Sequence, residues 1–293
     1  MTVRDAISEA KIILENAGIE DAFNNALTLM GKINNFSLTD YYIKGNENIS
    51  REEYEAFSKM IERRLKHEPL QHILGTVNFY GFVYKVSKDV LIPRPETEIL
   101  IEKTVERIKK SGKNGNAVES DKLAVCDMCT GSGCIIITLY KLGIVDCSKS
   151  SAVDISKAAL NIARENASMH DCDVEFIESD LFTELDKSKK FNLIISNPPY
   201  IPTSDIASLS KEVREYDPLL ALDGAEDGLL FYRRIIDTAA DYLKRDGLLA
   251  FETGYNQGDE IRRMMLSHSF TDVDIIRDYA GLDRIVIGRL KSN

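Results

Sequence analysis

Hydrophobic residues recur at helical spacing through the first part of the chain. Val3, Ile7 and Ala10 lie three or four positions apart, which places them on one face of an amphipathic helix. Residues 50–53 read Ser-Arg-Glu-Glu, a capping-box pattern that predicts the start of a further helix. We therefore predict a small helical bundle over residues 1–70.

Between residues 71 and 92 the pattern changes to β-branched and aromatic residues interrupted by glycines. Residues 73–75, 77–82 and 83–86 are β-rich, and the glycines are typical of turn points. We predict a β-hairpin linker here. Two prolines follow and favour extended backbone, and the acidic residues after them suit a helix N-terminus.

From residue 123 onward, short apolar runs alternate with amphipathic segments. Such alternation predicts a mostly parallel sheet with helices on both faces. The sequence thus predicts an α/β fold with a Rossmann-like domain over residues 93–293. The predicted strands are 123–127, 150–154, 174–177, 191–196, 247–252, 275–276 and 284–288, and the predicted helices are 134–142, 156–169, 229–243 and one from about 257.

Composition narrows the range of functions. The 293 residues carry a formal net charge of -10, which argues against DNA as a substrate because duplex binding usually needs a basic face. Five cysteines, an odd number in a chain of this size, fit reduced thiols better than a disulfide framework. Neither a signal peptide nor a membrane-spanning apolar run is recognisable. We expect a cytoplasmic enzyme without membrane contact.

A glycine turn follows the first strand of the alternating region. Residues 127–133 read Asp-Met-Cys-Thr-Gly-Ser-Gly, and glycines there let the backbone approach a ligand closely. No Lys-Ser/Thr pair follows, which argues against a nucleoside triphosphate. Taken alone, such a turn can be a simple tight loop. The candidate ligand-binding residues are Asp127, Cys129, Thr130, Gly131, Ser132 and Gly133.

Acidic residues follow the next two strands. Asp154 ends the second strand and Ile155 follows it, and an acid at this place can accept hydrogen bonds from ribose hydroxyls. Asp180, Leu181 and Phe182 follow the third, where a carboxylate could meet an adenine amino group and the apolar residues its ring. A single Asp after a strand is usually a helix cap. Together with the glycine turn, these residues give ligand-facing groups at three successive strand ends. This arrangement resembles the S-adenosylmethionine site of Rossmann-like methyltransferases.

The fourth strand is followed by Asn197, Pro198, Pro199 and Tyr200. The prolines stiffen the loop and keep only their carbonyl acceptors, and the Asn side chain adds another acceptor. Such a loop can accept both hydrogens of a planar NH2 group while Tyr200 covers its π face. This would raise electron density on the nitrogen and aim its lone pair at a methyl donor. By itself, Asn-Pro is an ordinary turn dipeptide.

Cys126 and Cys129 form a CxxC pattern. A zinc or redox site would need a second CxxC or a paired His, and Cys126 should point into the sheet. We predict no metal site.

The chain resembles the HemK/PrmC family, the release factor glutamine-N5 methyltransferases, over nearly its whole length. The most specific shared segment is residues 92–98, Ile-Pro-Arg-Pro-Glu-Thr-Glu, whereas Asn-Pro-Pro-Tyr also occurs in DNA amino-methyltransferases. Other matching segments are residues 68–75, 79–81, 127–133, 152–154, 197–201, 216–218 and 280–284.

The resemblance implies S-adenosylmethionine as cofactor and, as substrate, the glutamine of the Gly-Gly-Gln loop of class I peptide-chain release factors, in translation termination. Asn197 and the Pro198 carbonyl would bind the glutamine amide, and Asn197 would also border the cofactor. We expect Arg94 and Glu96 to contact the substrate, and residues 1–70 to dock the release factor. Leu181 stands where some members have an aromatic residue, for which Phe182 could compensate.

Two other functions stay open at this point. A DNA or RNA amino-methyltransferase would need a basic groove and usually a target-recognition insert. A catalytically silent S-adenosylmethionine-binding scaffold would not need an intact Asn-Pro-Pro-Tyr. Because the acceptor is a large protein that needs open access, we expect a monomer.

Overall fold

The computed structural model describes residues 1–111, 122–278 and 280–291. The chain forms two compact units, one comprising Met1–Thr76 with Ser210–Tyr216 and the other Val77–Leu209 with Asp217–Asn293.

The first unit is helical. Its apolar core includes Ile7, Leu14, Met30 and Phe57, all nearly inaccessible to solvent. The capping box predicted at residues 50–53 is confirmed, because the Ser50 hydroxyl accepts from the Glu53 amide and the Glu53 carboxylate accepts from the Ser50 amide. The helices are α1 (Val3–Asn16), α2 (Ala22–Asn34), α3 (Leu38–Ile43), α4 (Arg51–Leu65) and α5 (Leu70–Leu74).

A two-stranded hairpin consists of β1 (Thr76–Phe79) and β2 (Phe82–Lys85). Gly81 supplies the positive φ of +78° in its turn, which a residue without Cβ adopts at no steric cost. Residues 73 and 74, predicted to be extended, instead complete helix α5. Pro69 precedes the first turn of this helix and Gly75, at φ +74°, ends it, as left-handed glycines commonly do.

The second unit is built on a seven-stranded sheet in the order β5-β4-β3-β6-β7-β9-β8. The first five strands in this order pair in parallel, and β9 pairs antiparallel with β7 and β8. The chain therefore reverses its direction of travel across the sheet between β3 and β6, the kind of switch point at which open α/β sheets bind ligands. The strands are β3 (Val125–Met128), β4 (Ser151–Asp154), β5 (Glu175–Glu178), β6 (Phe191–Ser196), β7 (Leu243–Glu252), β8 (Phe270–Arg277) and β9 (Asp283–Leu290).

Successive residues of the central strands enter two separate apolar clusters. Ile194 and Cys126 pack with Tyr232 and Phe251 on one face, whereas the neighbouring Leu193 packs into the cluster on the other face. This alternation, which follows from the period of two in a β-strand, confirms the predicted α/β fold with both sheet faces covered. The remaining helices are α6 (Pro95–Ser111), α7 (Cys134–Lys141), α8 (Lys157–Met169), α9 (Lys211–Tyr216), α10 (Leu219–Leu222), α11 (Leu230–Tyr242) and α12 (Gly258–Ser267), of which α9 belongs to the first unit.

Candidate active site

The two loops at the switch point start side by side. Parallel pairing sets Met128 of β3 opposite Ser196 of β6, and the Ser196 hydroxyl donates to the Met128 carbonyl over 2.6 Å. The glycine turn beginning at Cys129 and the loop beginning at Asn197 therefore leave adjacent strands at the same edge of the sheet.

The glycine turn has three residues in the left-handed region. Cys129, Gly131 and Gly133 have φ values of +60°, +55° and +79°. A Cβ at position 133 would lie 3.0 Å from the Ile137 side chain and 3.3 Å from that of Ala163, so glycine there allows close packing of α7 against α8. Cys129 adopts this conformation with a side chain, which costs about 1–2 kcal/mol.

Asp127 lies behind this turn and does not line the cleft. Its carboxyl group is fully buried, and Oδ2 accepts hydrogen bonds from the Thr130 hydroxyl (2.6 Å) and the Ile136 amide (3.3 Å). Within the described part of the chain, Oδ1 has no hydrogen-bond partner. Burial raises the pKa of Asp127 to about 7, against the effect of the two hydrogen bonds. Asp127 holds the turn in shape, and its predicted contact with a cofactor stays a prediction.

This buried carboxyl group should make the stability of the cofactor-free protein depend on pH. Because its folded pKa of about 7 exceeds the ordinary value of 3.8, the folded state holds the proton more tightly than the unfolded state. Its contribution to stability is complete below about pH 4 and is lost as the pH rises through 7. Asp127→Asn, which cannot ionise, should remove on the order of 2–4 kcal/mol of this dependence. Urea unfolding followed by circular dichroism at pH 5 and pH 8 measures it.

The difference between the wild type and Asp127→Asn reports the contribution of Asp127 alone. Burial also raises the pKa of Glu252 to about 7, but Glu252 titrates in both wild type and variant. The same change of unfolding free energy with pH in both proteins would contradict the assignment.

Asp154 joins the glycine turn to the end of β4. Its carboxylate accepts from the Gly131 amide and from the Ser156 amide, each over 2.8 Å, and burial raises its pKa. The side chain lines the cleft, as does that of the following residue, Ile155. An acceptor at this place is therefore held in a fixed orientation by backbone donors.

After β5, Asp180 and Leu181 line the same cleft. Asp180 forms an ion pair with Arg234 at 2.8 Å. Phe182 does not line the cleft, and its predicted contact with the adenine ring stays a prediction. Its ring is buried and stacks on Tyr242 with 4.9 Å between centroids, because the apolar core competes for it. The aromatic residue that does line the cleft is Phe231, whose helical position gave no signal in the sequence.

Contacts with the backbone of Tyr200 hold the Asn-Pro-Pro-Tyr loop in place. The Tyr200 carbonyl accepts from Gln257 Nε2 at 2.9 Å, and the Gln257 side chain in turn accepts from the Gly254 amide. A Cβ on Gly228 would come 2.3 Å from the Tyr200 carbonyl oxygen. Asn197 and Pro199 line the cleft, whereas Pro198 is buried and Tyr200 half-buried.

The Asn197 carboxamide contacts a buried pair of polar side chains. Its Nδ2 donates to Thr97 Oγ1 over 3.3 Å, and the Thr97 hydroxyl donates to Glu252 Oε2 over 2.6 Å. Thr97 and Glu252 are each 2% exposed. Neither residue was predicted to have a role in the site, although Thr97 lies within the segment 92–98.

The cleft is partly open to solvent, and its surface is mainly apolar with a few polar groups, as is usual for sites that bind small ligands. Arg94 lines it and forms an ion pair with Asp217 at 2.6 Å. Eleven of the residues predicted for the site line it, namely Arg94, Cys129, Thr130, Gly131, Ser132, Asp154, Ile155, Asp180, Leu181, Asn197 and Pro199. Those that do not are Glu96, Asp127, Gly133, Phe182, Pro198 and Tyr200, and those that the prediction missed include Leu91, Thr97, Ile135, Ser179 and Phe231.

Neither a metal site nor a membrane span is found in the described ranges. Residues 1–111, 122–278 and 280–291 contain no group of three or more His, Cys, Asp or Glu side chains placed to hold a metal ion. In the same ranges, no helix has both the length and the apolar character needed to cross a bilayer.

Comparison with known proteins identifies the family. A family model described as the PrmC N-terminal domain matches residues 5–75, and one described as the methyltransferase small domain matches residues 115–212. The 16S rRNA N2 G1207 methyltransferase of T. thermophilus, solved with AdoMet and guanosine, has the same fold, with a TM-score of 0.51 and 15% identity over 74% of this chain and 50% of that chain.

Other proteins have a higher sequence identity to this chain. The release factor glutamine methyltransferase of Thermodesulfovibrio yellowstonii is 40% identical over 243 residues, which cover 83% of this chain and 84% of that protein. The enzyme of the same name from Agrobacterium fabrum is 36% identical and is matched over 97% of its length and 98% of this chain. The chain therefore belongs to the release factor glutamine methyltransferase family.

Proposed function

We propose that this chain transfers the methyl group of S-adenosylmethionine to the side-chain amide nitrogen (N5) of the glutamine in the Gly-Gly-Gln loop of class I release factors. The observation that carries the proposal is that Asn197 and Asp154 line one cleft, so that an acceptor for an amide NH2 group and an acceptor for a ribose are brought together at one sheet edge. The names of the relatives support the choice of substrate.

The residues of the cleft fit the cofactor. Asp154 offers a carboxylate fixed by the Gly131 and Ser156 amides, suited to ribose hydroxyls. Leu181 and Phe231 offer apolar surface, and Asp180 a carboxylate, where the adenine would lie. When bound, the sulfonium of S-adenosylmethionine supplies an activated methyl group.

The protein's part in the reaction is to bind and orient the acceptor amide. The lone pair of a carboxamide nitrogen is delocalised, so the nitrogen is a poor nucleophile. Hydrogen bonds from its two hydrogens to Asn197 Oδ1 and to the Pro198 carbonyl would increase electron density on nitrogen and fix its direction. Neither acceptor is a strong base, which suits a reaction in which the proton leaves after methyl transfer.

Arg94 and the first unit complete the proposal. Arg94 lines the cleft while paired with Asp217 and would contact the substrate there, and the helical unit would dock the body of the release factor. The net charge of -10 favours a protein substrate over DNA.

A methyl-transfer assay tests this function. The purified chain is incubated with S-adenosylmethionine labelled in its methyl group and with one of three acceptors: a release factor, its variant with the loop Gln replaced by Ala, or duplex DNA. Label should enter the unmodified release factor alone. Labelling of DNA alone would reject the proposed substrate, and equal labelling of both release factors would reject the glutamine.

A further inference from the structure

A line of three polar side chains from three elements leads from the cleft into the core. Asn197 follows the end of β6, Thr97 lies in the first turn of α6, and Glu252 is the last residue of β7. Thr97 and Glu252 are buried, so water does not compete for their hydrogen bonds. Their polar atoms must therefore find hydrogen-bond partners within the protein.

The direction of the hydrogen bonds along this line is determined by its buried end. An ionised carboxylate can only accept, so the Thr97 hydroxyl donates its single hydrogen to Glu252 Oε2. The Thr97 oxygen is then left as an acceptor, and it receives a hydrogen from Asn197 Nδ2. The Asn197 side chain also lowers the pKa of Glu252, against the larger effect of burial, as expected of an NH2 group near the carboxylate.

The opposite orientation of the amide is disfavoured. Turning the Asn197 carboxamide by half a rotation would set its carbonyl oxygen against the Thr97 oxygen, whose single hydrogen is already donated to Glu252. Two acceptors would then be in contact in a buried environment. Such contacts carry the full cost of unsatisfied polar groups. The Asn197 carbonyl is therefore the end left for a ligand in the cleft.

We propose that Thr97 and Glu252 are positioning residues, which hold Asn197 with its NH2 group toward the core and its carbonyl oxygen toward the acceptor amide. This inference rests on the function proposed above, because only an NH2-bearing substrate needs an acceptor at Asn197. A ligand with a carbonyl at that place would need the reverse orientation.

The same geometry makes the line sensitive to pH. Burial raises the pKa of Glu252 to about 7, so the carboxylate that fixes the direction forms as the pH rises through 7. Among the charged neighbours, Glu96 on α6 adds to the rise, and Arg284 on β9 opposes it. The other titratable groups that face this carboxylate are Tyr200, Tyr232 and Cys134.

Kinetic variants test the role of Thr97. Thr97→Val keeps the shape but removes the hydroxyl, and it should lower kcat for the release factor about 10- to 100-fold, the range expected when a group that orients the reactants is lost. The Kd for S-adenosylmethionine should stay unchanged. Thr97→Ser retains the hydroxyl and should recover most of the activity. Wild-type kcat in Thr97→Val would overturn the proposal.

Thr104 provides the matched control. It lies two turns further along α6, is fully buried, and its hydroxyl makes no hydrogen bond within the described ranges. Thr104→Val removes the same atoms from the same helix and should leave kcat unchanged. A loss equal to that of Thr97→Val would show that α6 merely tolerates no such change, and would overturn the positioning role.

NMR spectroscopy of the Asn197 amide group tests this inference independently of the proposed function. In protein labelled with 15N-asparagine, the NH2 resonances of Asn197 should shift as the pH crosses about 7, and Glu252→Gln should abolish the shift and lower kcat. An unchanged titration in Glu252→Gln would overturn the inference. Absence of release factor methylation by the wild type, with the titration as expected, would instead reject only the function.

Discussion

Replacing Asn197 by alanine is expected to lower kcat by about 10³-fold, while the Kd for S-adenosylmethionine changes by no more than a few fold. The side chain supplies the acceptor that fixes the substrate amide, and losing one such preorganised group typically costs about 10²–10³-fold in kcat. A further loss is expected because Thr97 then has no partner in the cleft. Steady-state methylation of a release factor gives kcat, and calorimetric titration gives the cofactor Kd.

The control for this variant is Asn161→Ala. Asn161 is exposed on α8, and its side chain bonds only weakly to Arg164, at 3.4 Å, so its removal should leave kcat and Kd unchanged. Wild-type turnover in Asn197→Ala would show that the amide is bound elsewhere. A cofactor Kd raised in proportion to the loss of kcat would assign Asn197 to cofactor binding instead.

Local signals were sufficient to predict the parts of the site that depend on strand order. The positions of Asp154 and Asn197 at the cleft could be predicted because each lies at the end of an apolar run, and the ends of parallel strands meet at one sheet edge. The capping box at residues 50–53 was equally visible, since both of its residues lie within a single turn. In these cases the interaction or its placement is encoded within a few residues of sequence.

Contacts between distant segments left no comparable signal. Glu252 is 155 residues from Thr97, and its position at the end of a strand does not say that it is buried beside α6. Gln257 binds a carbonyl 57 residues away. The stacking of Phe182 on Tyr242 likewise left no signal, because an aromatic residue next to a ligand and one in the core look alike in sequence.

The second large effect is expected at Gly228, where alanine should reduce kcat by about 100-fold. A Cβ there would lie 2.3 Å from the Tyr200 carbonyl oxygen and 2.6 Å from Gln257 Nε2, which is closer than atoms can approach without moving. The added Cβ would break the hydrogen bond between these two groups and displace the loop that carries Asn197. A shift of about 1 Å in a positioning group can cost about 10²-fold. The same methylation assay measures the effect.

The variant Gly143→Ala is the control that distinguishes the effect of this clash from the effect of backbone strain. The Gly143 φ of +78° is close to the +74° of Gly228, but a Cβ on Gly143 would meet nothing within 4 Å. Both alanine variants therefore pay the left-handed cost of about 1–2 kcal/mol, and only Gly228→Ala also moves the loop. Should Gly228→Ala fail to fold, Gln257→Leu removes the donor to Tyr200 without adding atoms at position 228 and should also lower kcat. Equal kcat in the Gly228 and Gly143 variants would mean that the loop is held in place without this contact.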